Sequence, residues 1–145
     1  MNELASKVDI HTDGGALGNP GPAAIGVVIT INGHTKTYAE PIGDRTNNEA
    51  EYQAVIFALK KVKQLLGKKV KRAKLTLYLY LDSELVGKQL RGEYKIKNHE
   101  LAHLFVEVWN LRHDLPPLQI ELVPREHNRR ADALVKSILH KKELF

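Results

Sequence analysis

The seven residues Leu75–Leu81, LTLYLYL, constrain the fold more than any other stretch of the chain. They place apolar groups on both faces of an extended backbone. That pattern predicts a central strand covered by helices on each side, not a strand with one wet face. The run has strand length and falls far short of the ~20 residues that cross a bilayer. A chain built round such a strand is an α/β protein with no membrane span.

The flanking sequence supplies matching elements. Val8–Asp13 alternates, with Val8, Ile10 and Thr12 on one face and Asp9, His11 and Asp13 on the other. A loop rich in Gly and Pro is expected over Gly14–Pro22. Ala23–Ile31 and Thr35–Ile42 read as strands joined by Asn32-Gly33, a strong hairpin signal. Val55, Ala58, Val62 and Leu65 recur at helical spacing, so a helix runs from about Asn48 to Leu66 and stops at Gly67. A short helix begins at Ser83, and a longer one covers His99–His113 with Leu101, Leu104, Phe105, Val108 and Leu111 inward. Gln119–Val123 is a fifth strand and Arg129–Lys142 a last helix. The order βββαβααβα predicts one domain over 1–145, with a mixed five-stranded sheet (three antiparallel strands, then two parallel) flanked by helices.

Charge narrows the partners. The 145 residues carry a net charge of +5. Between Lys60 and Lys74 eight of fifteen residues are Lys or Arg and none is acidic. Such a run is either a solvated helix face followed by a basic loop or an attractor for a polyanion. There is no cysteine, which removes disulfides and thiolate metal sites and is compatible with a reducing cytoplasm. The opening MNELASKVDIHTDGG lacks the charged-then-apolar pattern of a secretory signal, so a cytoplasmic protein is expected.

Against this basic background four acids stand at element ends: Asp13, Glu51, Asp82 and Asp132. Singly, most have ordinary explanations. Strand-end aspartates form turns, Asp82-Ser83 can cap a helix, and Asp132 complements a helix dipole. Glu51 is harder to dismiss. It precedes Val55 by four residues and Ala58 by seven, which puts it on the apolar stripe, while Thr46 and Glu49 already form a capping-box pair. An inward carboxylate needs a cation or a charged partner. Oxygen-only ligands suit Mg²⁺ or Mn²⁺, and two such ions ~4 Å apart activate water and stabilise the leaving oxygen of a phosphodiester.

The segments carrying these acids, HTDGGALGNPGPAAIG, TNNEAEYQAVIFAL, LYLDSELV and VPREHNRRADALV, resemble the type 1 ribonuclease H family in order and spacing over nearly the whole chain. The resemblance implies that fold and endonucleolytic cleavage of the RNA strand of RNA–DNA hybrids by a two-metal-ion mechanism. Asp13, Glu51, Asp82 and Asp132 become the ligands of two Mg²⁺ ions, with Mn²⁺ a possible substitute. Gly14, Gly15, Asn19, Thr46, Asn47 and Asn48 fall where the family contacts hybrid backbone, Asn19 and Thr46 near its DNA-phosphate pocket. Recognition would then follow groove shape and 2′-hydroxyls rather than base sequence.

Two features depart from the family pattern. Its loop histidine has no counterpart in Pro124-Arg125-Glu126-His127-Asn128, which leaves Arg125 or His127 as candidates for that role. The inserted basic helix that some members carry between Asp82 and Trp109 is missing, and the Lys60–Lys74 run is a candidate for part of its electrostatic grip. The alternatives are a related metal nuclease that also cuts double-stranded RNA, and a non-catalytic hybrid-binding module. A monomer is expected.

Overall fold

A computed structural model describes residues 7–68 and 74–143. Strands β1 (Lys7–Ala16), β2 (Gly21–Ile31) and β3 (His34–Arg45) form an antiparallel meander, followed by helix α1 (Asn47–Leu66). Strand β4 (Thr76–Leu81), helices α2 (Glu84–Leu90) and α3 (His99–His113), strand β5 (Leu118–Leu122), a 3₁₀ turn (Arg125–His127) and helix α4 (Arg129–Glu143) complete the chain. The sheet order is β3-β2-β1-β4-β5, with β1–β4 and β4–β5 parallel. The architecture is the βββαβααβα sheet that the sequence predicts.

Local chemistry accounts for the joints. Asn32 and Gly33 both have positive φ (53° and 76°), which matches the twist of the strands they join. Thr46 and Glu49 close a reciprocal capping box: the Glu49 N–H donates to Thr46 Oγ1 at 3.1 Å, and the Thr46 N–H donates to Glu49 Oε1 at 2.8 Å. Ser83 caps α2, accepting from the Val86 N–H at 3.3 Å, so Asp82 is left free of that duty.

The main core lies on one face of the sheet. Val8, Ile10, Val27, Ile29, Leu77 and Leu79 meet Val55, Leu59 and Val62 of α1, and α3 adds Leu101, Leu104 and Val108. On the other face α4 lays Val135 and Leu139 on Ala24. Among the described residues no helix is long and apolar enough to cross a membrane.

Two expectations need correction. The loop predicted over Gly14–Pro22 shrinks to Leu17–Pro20, because Gly14, Gly15 and Ala16 remain paired with Ile25, Ala24 and Ala23. Here glycine serves close packing rather than a turn. The second concerns β4, whose Leu77, Leu79 and Leu81 are fully buried while Thr76, Tyr78 and Tyr80 on the opposite face are only half-buried. Helix α4 covers β1, β2 and β3 instead. Tyrosine tolerates this half-open face: Tyr80 stacks on His11 with 4.6 Å between ring centroids, and its hydroxyl donates to Asp9 Oδ1 at 3.1 Å.

Candidate metal centre

Strands β1 and β4 run in parallel register until His11 and Tyr80, their last paired residues. Asp13 and Asp82 each follow two residues later, so they stand side by side where the two strands part. Crevices of this kind, at a point where connections leave the sheet in different directions, gather binding groups in α/β proteins. Glu51 enters from the start of α1. One carboxylate oxygen each from Asp13, Glu51 and Asp82 lies within 4.8 Å of the others. The three come from three separate elements, β1, α1 and the residue after β4.

Asp132, in the first turn of α4, stands at the rim of this group. It acts on Asp13 through its charge and a hydrogen bond, while Lys136 pairs with its Oδ2 at 2.9 Å. Three of the four sequence-predicted acids are thus within reach of one ion, and the fourth flanks them.

Electrostatics make this group unstable as bare carboxylates. Burial and the charges of Asp82 and Asp132 push the Asp13 carboxyl up to about 7, against a hydrogen bond with Glu51 that pulls the other way. Burial, then the adjacent Asp13, holds Glu51 well above the ordinary glutamate range. Glu51 is 8% exposed and its Oε2 is buried without a hydrogen-bond partner among the described residues. A divalent cation would replace the proton these acids must otherwise hold, and it would satisfy that oxygen. The donor set fits a hard, oxygen-binding ion.

Two glycines let the helices come close enough to build the group. A Cβ on Gly14 would collide with the Ala50 carbonyl and lie 2.7 Å from the Glu51 nitrogen, so α1 reaches β1 only over a bare backbone. A Cβ on Gly26, which pairs with Asp13, would strike the Ala131 carbonyl of α4. Gly14→Ala is therefore expected to force α1 away from β1. We expect a cost of about 3 kcal/mol, at the upper end for overpacking, and loss of divalent-ion binding. Thermal melting and isothermal titration with Mn²⁺ would check both, and a variant that melts and binds like the parent would contradict this account of Gly14.

Asn128 is a further organiser, and sequence reasoning missed it. It is 1% exposed, and its Nδ2 donates to the Thr12 carbonyl at 2.9 Å and to Asp82 Oδ2 at 3.2 Å. Its main-chain carbonyl accepts from the Asp132 N–H at 3.1 Å. One residue thereby ties β1, Asp82 and the start of α4 together. An asparagine just before a helix reads as a cap, so the sequence carries no signal that its side chain turns inward instead.

The remaining predicted residues surround this centre. Asn19 Oδ1 accepts from the Asn47 N–H at 2.9 Å, and Asn47 Oδ1 accepts from the Ala16 N–H at 2.9 Å. Both carbonyl oxygens are therefore used in stitching the Leu17–Pro20 loop to α1, and the amide N–H₂ groups remain as donors on exposed side chains. Thr46 serves as the cap, Asn48 is exposed, and Gly15 packs beneath Val135 and Leu139. Arg125 and His127 share the exposed 3₁₀ turn before Asn128, and neither side chain makes a hydrogen bond or ion pair among the described residues.

Lys60, Lys63 and Lys68 are exposed near the far end of α1, whose last residue, Leu66, is ~22 Å along the helix axis from Glu51. Lys61 instead lies over the rings of Tyr38 and Phe57, 5.4 Å from each centroid. Lys69, Val70, Lys71, Arg72 and Ala73 of the predicted basic run lie outside the described residues.

Comparison with known proteins identifies relatives of the whole fold. A family model described as reverse transcriptase-like matches residues 11–138. The chain is 37% identical over 140 residues to the ribonuclease HI of Halobacterium salinarum, covering 94% of this chain and 66% of that protein. It is 36% identical over 136 residues to a bifunctional protein of Mycobacterium tuberculosis, covering 92% of this chain but 35% of that protein. The chain thus spans about a third of the mycobacterial relatives. Among solved structures, LC11-RNase H1, isolated from compost by a metagenomic approach, superposes with a TM-score of 0.86 at 42% identity, covering 94% of this chain and 98% of that one. The same enzyme in complex with an RNA/DNA hybrid gives a TM-score of 0.83 at 42% identity, covering 90% and 94%.

Proposed function

Since the chain belongs to the type 1 ribonuclease H family, we propose that it is an endonuclease hydrolysing the RNA strand of RNA–DNA hybrids with divalent cations. The observation that carries this reading is the convergence of Asp13, Glu51 and Asp82 within 4.8 Å, with a buried Glu51 oxygen left unpartnered. The structure of a 42%-identical enzyme with hybrid bound supports the substrate class.

Asp13, Glu51 and Asp82 would hold Mg²⁺ or Mn²⁺, with Asp132 completing a second ion's environment. Bound there, two ions would supply a hydroxide-like water and charge stabilisation at the leaving oxygen. The protein's part is positional. Asp13 and Glu51, both held above their ordinary carboxylate values by burial, would ligate the cation in their ionised forms. Asn128 fixes the Asp82 carboxylate and keeps it aimed at the crevice. The amide N–H₂ groups of Asn19 and Asn47, with Asn48 and the backbone at Gly14 and Gly15, form a short polar shelf beside the acids, suited to phosphates and 2′-hydroxyls of an A-like minor groove. Binding by shape would make cleavage largely independent of sequence.

We assign the loop role to Arg125, whose guanidinium is free on the exposed turn to meet a phosphate. We place the enzyme in the cytoplasm as a monomer, which its lack of cysteine suits.

The decisive assay compares labelled RNA–DNA hybrid, double-stranded RNA and double-stranded DNA in Mg²⁺, in Mn²⁺ and in EDTA. Cleavage of the hybrid's RNA strand only, abolished by EDTA, is expected. Cutting of duplex DNA without the hybrid, or activity that survives chelation, would overturn the reading. In the same assay Arg125→Ala is expected to lose roughly 100-fold in kcat, the lower end of what a positioned acid–base group contributes, and His127→Ala less. A reversed order would move the role to His127.

A further inference from the structure

Strand β5 lies at the edge of the sheet, with β4 on one side and no strand on the other among the described residues. Its Leu122 end is covered by α2, where the side chain packs onto Gly87. Leu118 and Ile120 are only half-buried and open into a groove of about 440 Å³ whose walls combine the apolar Leu90, Phe105 and Trp109 with Arg112 and the Arg91–Glu93 ion pair. Trp109 is the chain's single tryptophan, and 51% of its surface is exposed. A large aromatic left half in water at the rim of a groove of mixed polarity is the residue type that anchors protein interfaces.

Arg112 is the second anomaly. Its guanidinium is half-buried beside Trp109, and burial lowers its basicity. Neighbouring charges are matched: Arg91 pairs with Glu93 at 2.9 Å and Lys63 with Asp114 at 3.1 Å. Among the described residues the Arg112 side chain makes neither an ion pair nor a hydrogen bond. A charge drawn partly out of water ordinarily has a partner.

We propose that this groove binds an extended segment of a partner protein, which adds to the free edge of β5, buries an apolar side chain against Trp109 and sets a carboxylate on Arg112. The open strand edge supplies main-chain hydrogen bonds, Leu90, Phe105 and Trp109 take alternate apolar side chains, and Arg112, the cation of the groove without an ion-pair partner, selects for acid. A nucleic-acid strand is disfavoured, because a phosphate backbone calls for a row of cations and the groove offers one that is unmatched. The groove is separate from the acid centre. Leu118 pairs with Leu77, five residues and ~16 Å back along β4 from Asp82.

Trp109 reports on its own surroundings, since no other tryptophan contributes to the emission. The probes are four six-residue peptides alternating leucine and threonine, each with one aspartate at a different position, together with their asparagine twins and an oligothymidylate. At least one aspartate peptide should change the emission saturably below about a millimolar, and its asparagine twin should bind at least tenfold more weakly. Arg112→Gln should abolish the difference between the twins while leaving hybrid cleavage within twofold of the parent. The proposal is overturned if no peptide gives a saturable change up to a few millimolar. It is equally overturned if the twins bind alike to the parent protein, or if the oligothymidylate changes the emission and the peptides do not.

Discussion

Asp13→Asn should lose at least about a thousandfold in cleavage of an RNA–DNA hybrid in Mg²⁺ while folding as well as the parent. A thousandfold in rate is about 4 kcal/mol of transition-state stabilisation, which is reasonable for the loss of one carboxylate from a group of three placed to share an ion. The amide keeps the size and one oxygen of Asp13, so the β1 backbone and its pairing with Gly26 are undisturbed. What goes is a charge held in a buried group beside Glu51 and Asp82. Without metal that charge is a liability, so the variant should melt at or above the parent's temperature in EDTA at pH 8. The two readouts together separate chemistry from folding. Activity within tenfold of the parent would remove Asp13 from the metal centre, whereas a large drop in melting temperature would make the lost activity a folding defect. Asp132→Asn should be milder, because Asp132 stands outside the three-carboxylate group and shares its charge with Lys136.

Much of this centre is legible one residue at a time, and the remainder follows a physical boundary. The inward face of Glu51 follows from helical period, and its freedom from capping follows from Thr46 and Glu49. Both are local facts, and the structure bears both out. Asp82 could not be separated from a cap by sequence alone, and the separation came only when Ser83 was seen to do the capping. Gly26 and Asn128 were invisible for a different reason. Their work is done against residues far along the chain: Gly26 meets Ala131, and Asn128 meets Thr12 and Asp82 at sequence separations of 116 and 46. No local pattern encodes such a contact. The Gly14–Gly15 error has the same origin: a glycine needed for close helix approach looks, in one dimension, like a glycine needed for a turn. The tyrosines of β4 misled because an aromatic ring satisfies an apolar count whether its outer edge is covered or wet.

Metal and proton should compete for the same carboxylates, and this sets the sign of the protein's pH dependence. Asp13 has an ordinary value of 3.8 and stands at about 7 in the folded chain. A carboxyl whose folded value is raised contributes stability that is complete below its unfolded value and is lost as pH rises through its folded one. Glu51 shifts in the same direction. In EDTA the melting temperature should therefore fall between about pH 5 and pH 8. The fall corresponds to a few kcal/mol, on the order of 5–10 °C for a chain of this size. His11 works against this trend, because burial lowers its pKa and its contribution grows as pH rises. The share of Asp13, with its effect on Glu51, is isolated by subtracting the same profile for Asp13→Asn, in which His11 is unchanged. Millimolar Mg²⁺ or Mn²⁺ should restore the loss, and restore most at the highest pH, where no proton has to be displaced. A cation at a hundredfold excess over its Kd adds about 2.7 kcal/mol. A melting profile that rises through this range after subtraction, or a metal-induced gain independent of pH, would mean that these carboxylates do not hold their protons in the folded protein. The crevice between β1 and β4 would then have to be ionised without a cation, against the burial of Glu51.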